Sequence, residues 1–182
     1  MASQAHDAVR QAVQERYSTI AETRGATTCC DGSPVVTLDE KAHQVGYSTE
    51  ETQAVPDGAN LGLGCGNPVA IASLRPGDVV VDLGSGAGFD CFLAAQAVGA
   101  SGKVIGVDMT PAMLAKAREH ARTGHVTNVE FRLGEIEHLR WQIRALMSSF
   151  RTALSICLRK RPRCFRKLIA CSSLGDVWPS RM

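Results

Sequence analysis

Aromatic residues make up only 5% of the 182-residue chain, and no stretch approaches the roughly 18 uninterrupted apolar residues that a membrane helix requires. A helical membrane span is therefore not expected. The opening Met1-Ala2-Ser3-Gln4-Ala5-His6 lacks the basic-then-apolar order of a secretory signal, so the expected compartment is the cytoplasm. Zinc-site spacing is missing as well: the seven cysteines form no C-x-x-C, and no paired H-x-x-x-H accompanies them. Seven is an odd count, and without an export signal all are expected as reduced thiols. Acidic residues nearly vanish from the last quarter. Residues 139–182 hold ten Lys and Arg against one acid, Asp176, a net +9, whereas residues 1–138 hold ten against seventeen, a net −7. Such a tail suits contact with nucleic acid or a membrane, but it also carries both tryptophans and three cysteines, unlike a simple basic arm. What is present, 45% apolar and 21% charged residues with 17 Gly and 7 Pro, suits one ordinary globular domain and excludes a collagenous or wholly disordered polymer.

Along the chain, Val9, Ala12, Val13, Arg16 and Ile20 recur at helical spacing, predicting an amphipathic packing helix over His6–Glu22. Gly25–Pro34 reads as loop. Val35–Asn67 has little periodicity and reads as a loop-rich cover, ending in Leu61-Gly62-Leu63-Gly64-Cys65-Gly66-Asn67-Pro68. Order sharpens after Pro76. Asp78–Leu83 is an apolar run of strand length broken at once by Gly84-Ser85-Gly86-Ala87-Gly88. A helix over Asp90–Val98, a strand over Lys103–Asp108, a helix over Pro111–Gly124 with Thr110 as N-cap, and a strand over Val129–Leu133 follow. Alternating strand and helix implies an α/β fold with a parallel sheet and helical crossovers.

A glycine turn between a buried strand and a helix lets the backbone approach a nucleotide, and an acid ending the next strand can hold ribose hydroxyls. Asp108 is that acid, 20 residues after Gly88. The dinucleotide fingerprint G-x-G-x-x-G/A is not met, because Phe89 stands three residues after Gly86, and an acid, Asp82, precedes the loop. Among the cysteines, Cys91 falls inside an apolar helix and reads as packing. Cys65, between glycines, suits a small buried thiol and an exposed soft ligand equally, and Cys29-Cys30 beside Asp31-Gly32 have no obvious core to fill.

The pattern Asp82-Leu83-Gly84-Ser85-Gly86-Ala87-Gly88 resembles the first motif of class I S-adenosylmethionine-dependent methyltransferases, which have a Rossmann-like parallel sheet. That resemblance implies S-adenosyl-L-methionine as cofactor, with Asp82, Gly84, Ser85, Gly86 and Gly88 along its methionine portion, Asp108 on the ribose and Met109 beside the adenine. Gly134, Glu135 and Ile136 become the adenine-edge segment, although a polar turn after a strand explains them equally without the resemblance. Val13-Gln14-Glu15-Arg16-Tyr17, Cys29-Cys30, Gly46-Tyr47-Ser48, the Leu61–Pro68 segment and Val81–Arg118 together resemble arsenite methyltransferases. The narrower resemblance implies arsenic(III) as substrate held by Cys65, with Cys29 or Cys30 as redox partner and Tyr47 and Ser48 closing the cofactor pocket. It further implies arsenite or a small arsenical thiol conjugate as methyl acceptor, thioredoxin or glutathione as reductant, and no nucleic-acid or membrane partner. Arsenic(III) needs no proton removed before attack, so His43, His120, His125 and His138 are expected to be solvated or hydrogen-bonded rather than catalytic.

The similarity ends near Leu139. The expected organisation is a cover over 1–75, the first half of the cofactor domain over 76–139, and a basic, poorly ordered non-family tail over 140–182. With codons ATG TCA TCA TTT CGA ACT GCG, Met147–Ala153 read from the G of the first codon becomes VIISNC, the strand and cysteine turn the family would place there. The same shift makes Lys167–Arg181 compatible with AHRVLKPGGRLAVS, so the tail is expected to be out of frame. A truncated, incomplete sheet of this kind is expected to be weakly active or inactive and to leave an open strand edge. Methyl transfer to another small molecule, or retained cofactor or metalloid binding without catalysis, are the alternatives.

Overall fold

The computed structural model describes residues 2–23 (side chains from Ala8 onward), 37–63, 67 and 74–135, and the backbone of 152–160 and 164–171. Three helices come first: α1 (Ala2–Glu22), α2 (Leu38–Gln44) and α3 (Thr49–Gln53). They are followed by β1 (Val79–Leu83), α4 (Phe89–Val98), β2 (Lys103–Asp108), α5 (Pro111–Thr123), β3 (Val129–Leu133), β4 (Thr152–Lys160) and β5 (Cys164–Cys171). The strands form one sheet in the order β3-β2-β1-β4-β5. β1 pairs in parallel with β2, placing Val81 opposite Ile105, and with β4, placing Val81 opposite Leu154. β2 and β3 are also parallel, while β5 returns antiparallel to β4.

The continuous apolar runs of β1 and β2 follow from their central position, since a parallel strand covered on both faces has no solvent side to fill with polar residues. Gly106 interrupts β2 for a packing reason: a Cβ there would lie 2.7 Å from Phe131 Cδ1 and 2.9 Å from Cys91 Sγ. Phe131 packs edge-on against Phe92, with ring centroids 5.9 Å apart, and the two rings anchor the main core with Val80, Val98, Val104 and Leu114. Residues 140–182 are expected outside the family pattern, yet β4 and β5 bring two segments of them into the sheet. Ala153-Leu154-Ser155-Ile156-Cys157-Leu158 is an apolar run of strand length, and the edge of β1 away from β2 offers backbone groups that would otherwise lack partners.

The cover contains more regular structure than its poor periodicity suggests. Thr37 Oγ1 accepts from the Glu40 amide at 3.2 Å while Glu40 Oε2 accepts from the Thr37 amide at 2.7 Å, a reciprocal capping box that starts α2. Ser48 and Glu51 repeat it at 3.2 and 2.8 Å to start α3. Ala42, Tyr47, Val55 and Ala59 then join the main core, so the cover is fastened to the sheet domain. Thr110 occupies the N-cap of α5 as expected but makes no side-chain cap bond; Asp108 Oδ1 accepts from its amide at 2.8 Å instead.

The apolar stripe expected on α1 is corrected at its start. Val9 is 64% exposed, and the packed part is the second half, where Ala21, Tyr17 and Ile20 meet Leu61, Ala87 and Met113. Along β3, Glu130 pairs with Lys103 and Arg132, each at 2.7 Å, and these bonds hold its carboxyl down at about 2. Fixed charge on that strand opposes its pairing with another chain. Among the described residues, no helix is long and apolar enough to cross a membrane.

Candidate functional site

After Leu83 the chain leaves the sheet through the glycine loop. The amides of Gly84 and Ser85 both donate to the Val107 carbonyl, at 2.7 and 3.1 Å, folding the loop over the end of β2. The Gly86 amide donates to Asp108 Oδ2 at 3.0 Å, joining the loop to the strand-end acid. Two glycines are required here for different reasons. Gly86 has φ +54°, and a Cβ on it would meet nothing within 4 Å among the described residues, so its backbone faces open space there. Gly88 has φ +92°, and a Cβ there would press to 2.8 Å from Phe131 Cζ and 2.9 Å from Phe92 Cε2.

The open space is a cleft, continuous with solvent, between Gly84–Ala87, Phe89 and Asp90 on one side and Tyr47, Asn60, Leu61 and Leu63 of the cover on the other. Tyr47, 3% exposed, donates its hydroxyl to Asp90 Oδ1 at 2.6 Å and packs edge-on against Phe89 at 4.9 Å. Burial, and then the neighbouring Asp90 carboxylate, push the Tyr47 hydroxyl well above the usual tyrosine range. It is thus a permanent donor that clips the cover to α4. Tyr47→Phe is expected to lower stability by about 2 kcal/mol, the contribution of a hydrogen bond to a charged acceptor, measurable as a lower urea midpoint. On the opposite wall the Ser85 hydroxyl is buried and, among the described residues, has no hydrogen-bond partner. A buried polar atom left in this way fits a site that receives a polar ligand group.

Of the residues singled out from sequence, Tyr47, Gly84, Ser85 and Gly86 meet at the cleft. Asp82 lies beneath it, 4% exposed, accepting a hydrogen bond from Cys91 Sγ at 3.4 Å. Asp108 and Met109 flank the loop. Asp108 accepts with both carboxylate oxygens, from Gly86 and Thr110, and its backbone carbonyl accepts from the Gly134 amide at 3.1 Å. Glu135 is 3.6 Å from Arg10 of α1, and Gln14 donates to the Met109 carbonyl at 3.0 Å. Ser48 serves as the cap of α3 and does not line the cleft. Cys29, Cys30, Cys65 and Ile136 lie outside the described residues, as does His138. His120 Nδ1 is 3.3 Å from the Ala87 carbonyl, and His43 Nε2 is 3.5 Å from Thr49 Oγ1. Asp90 and Leu61 fall within the resembling segments but, like Asn60, were given no site role by sequence. An acid in the first turn of a helix leaving a glycine loop was the available signal for Asp90.

A methyltransferase domain family matches residues 74–164, half of the chain. An arsenite methyltransferase of Halobacterium salinarum is 54% identical over 140 residues, covering 71% of this chain and 36% of that protein. One from Aquipseudomonas alcaligenes is 34% identical over 157 residues, covering 82% and 42%. An arsenic(III) S-adenosylmethionine methyltransferase structure from Chlamydomonas reinhardtii is 36% identical with a TM-score of 0.41, covering 67% of this chain and 39% of that one. The chain thus spans about two fifths of the length of the curated relatives it matches. The family match contains the whole unit of β1, glycine loop, α4, β2, α5 and β3 that builds one wall of the cleft. An α/β sheet of this Rossmann-like, class I type, matched over half its length, makes the chain a member of the methyltransferase domain family.

Proposed function

We propose that the cleft binds S-adenosylmethionine and that the chain is the cofactor-binding part of an enzyme methylating arsenic(III). The observation carrying the cofactor half is the loop itself, in which the open space over Gly86 adjoins a buried Ser85 hydroxyl that has no hydrogen-bond partner among the described residues. Gly86 exposes its backbone there, Ser85 offers a hydrogen bond, and Asp108 retains acceptor capacity beyond its two amide bonds for a diol. Bound S-adenosylmethionine supplies an electrophilic methyl group on a sulfonium. Tyr47, Phe89, Leu61 and Leu63 give the cleft apolar walls that exclude water around it.

The acceptor half rests on the similarity to arsenite methyltransferases over 71% of this chain. Cys65 is the proposed thiolate ligand, with Cys29 or Cys30 as redox partner and thioredoxin or glutathione returning the two electrons given up by arsenic. Leu63 lines the cleft and Asn67 donates to Glu51 Oε1 at 2.6 Å, so the described residues on either side of 64–66 are both held at the cover. Arsenic(III) attacks with a lone pair and needs no general base, which leaves alignment in a dry cleft as the main source of rate.

The test is calorimetric titration of the full chain with S-adenosylhomocysteine and, separately, with arsenite. The expected result is binding of both, with Cys65→Ser losing at least tenfold in arsenite affinity and keeping that for S-adenosylhomocysteine. Unchanged arsenite affinity would move the assignment to a methyltransferase with a different acceptor. Absence of S-adenosylhomocysteine binding would overturn the cofactor reading itself.

A further inference from the structure

The N-terminal helix makes polar contacts with two strand ends that its apolar packing does not explain. Its apolar attachment is in the second half, through Tyr17, Ile20 and Ala21. One to two turns earlier, Gln14 Nε2 donates to the Met109 carbonyl at 3.0 Å across 95 residues of sequence, and Arg10 lies 3.6 Å from Glu135. Both targets sit where strands end beside the glycine loop: Met109 directly after β2 and Glu135 two residues after β3.

We infer that Gln14 is a positioning residue for the cofactor site, acting through Met109 and Asp108. The Met109 carbonyl precedes the N-cap of α5, outside the helix, and a half-buried carbonyl of this kind needs a donor from elsewhere. Gln14 supplies it. The peptide unit so held follows Asp108, whose side chain fixes the amides of Gly86 and Thr110 and whose carbonyl accepts from Gly134. Rotation of the Met109 carbonyl away from α1 would turn the backbone beside Asp108 and disturb the loop and the end of β3 together. Arg10 and Glu135 fix the second strand end from the same helix. Their side chains are 36% and 38% exposed, so their contribution is the smaller one.

This inference rests on the proposal that the cleft takes S-adenosylmethionine, and Gln14 is not among the described residues that line the cleft. The probes are S-adenosylhomocysteine and 5′-methylthioadenosine, the second lacking the amino-acid portion. Gln14→Met keeps side-chain length and helix propensity but cannot donate. It is expected to weaken both ligands about tenfold, because the perturbed segment serves the adenosine they share, with the urea midpoint without ligand lowered only by the loss of that one hydrogen bond. Gln14→Lys restores a donor of similar reach and is expected to bind within about threefold of the parent. Equal affinity of Gln14→Met and the parent for both ligands overturns the inference while leaving the cofactor reading intact. So does a loss confined to S-adenosylhomocysteine, which would place the effect at the amino-acid end. If the parent binds neither ligand, the cofactor reading falls and the inference with it. Should Gln14→Met fail to fold, Gln14→Glu, ionised and unable to donate at pH 7.5, carries the same expectation and the same refutation.

Discussion

Gly86→Ala is expected to lose S-adenosylhomocysteine binding by at least a hundredfold while the protein still folds, and Gly88→Ala to lose about 3 kcal/mol of stability. Both glycines have positive φ, +54° and +92°, so each alanine carries a left-handed backbone penalty of about 1–2 kcal/mol. Their surroundings separate them. The added methyl at 86 enters open space and meets no atom of the described residues within 4 Å, so the penalty stops there, and the methyl stands in the space proposed for ligand. The methyl at 88 would sit 2.8 and 2.9 Å from the rings of Phe131 and Phe92. Those rings are 7% and 1% exposed and pack on each other, so neither can move without disturbing the core. Overpacking of that kind adds about 1–3 kcal/mol, for a total near 3 kcal/mol at Gly88. Urea unfolding followed by calorimetry checks both halves. Full ligand affinity in Gly86→Ala would remove the glycine loop from the site.

The same loop shows what could be read in the sequence and what could not. β1 and β2 were legible because central parallel strands are largely apolar, and the glycines and Asp108 fall at fixed offsets from them, whereas β3, an edge strand with alternating charges, was legible from its alternation and its place after α5. α5 was legible from Thr110-Pro111, although the amide at 110 is held by Asp108 and not by a threonine side chain. The short α2 and α3 escaped a periodicity criterion, since seven and five residues complete too few turns to show one. Their spacing signal was the pair Thr37-x-x-Glu40 and Ser48-x-x-Glu51. That pair also explains why Ser48, read as part of the pocket, is a helix cap. Residues whose roles depend on distant partners were beyond local reading. Asp90 is defined by Tyr47, 43 positions away, and Gln14 by Met109, 95 positions away. Val9 had the right helical phase but lies on a half of α1 that nothing apolar meets among the described residues.

Cys91 is the residue whose reading changes most, from a packing thiol to half of a buried polar pair, and it makes alkaline stability a test. It is fully buried on α4 and donates through Sγ to Asp82 Oδ2 at 3.4 Å, under the glycine loop. Burial first, and then the charge and hydrogen bond of Asp82, push the thiol well above its usual range. In the folded protein it therefore stays protonated where the unfolded chain, titrating near 8.5, has lost its proton. The stability this contributes is fully present below pH 8.5 and is lost as the pH rises toward the folded value, at about 1.4 kcal/mol per unit for one such group. Tyr47 follows the same sign from about pH 10, since its hydroxyl is also raised. Between pH 8 and pH 10 the unfolding free energy is expected to fall on account of Cys91. Other groups titrate in that range, so the informative quantity is the difference between the parent and Cys91→Ala, each unfolded in urea at both pH values. Cys91→Ala should be less stable at pH 8, having lost a buried side chain and left Asp82 one donor short, and the gap should close as the pH rises. A gap independent of pH would mean that the thiol gives up its proton as readily in the folded protein as in the unfolded chain, so that neither burial nor Asp82 holds the proton on it.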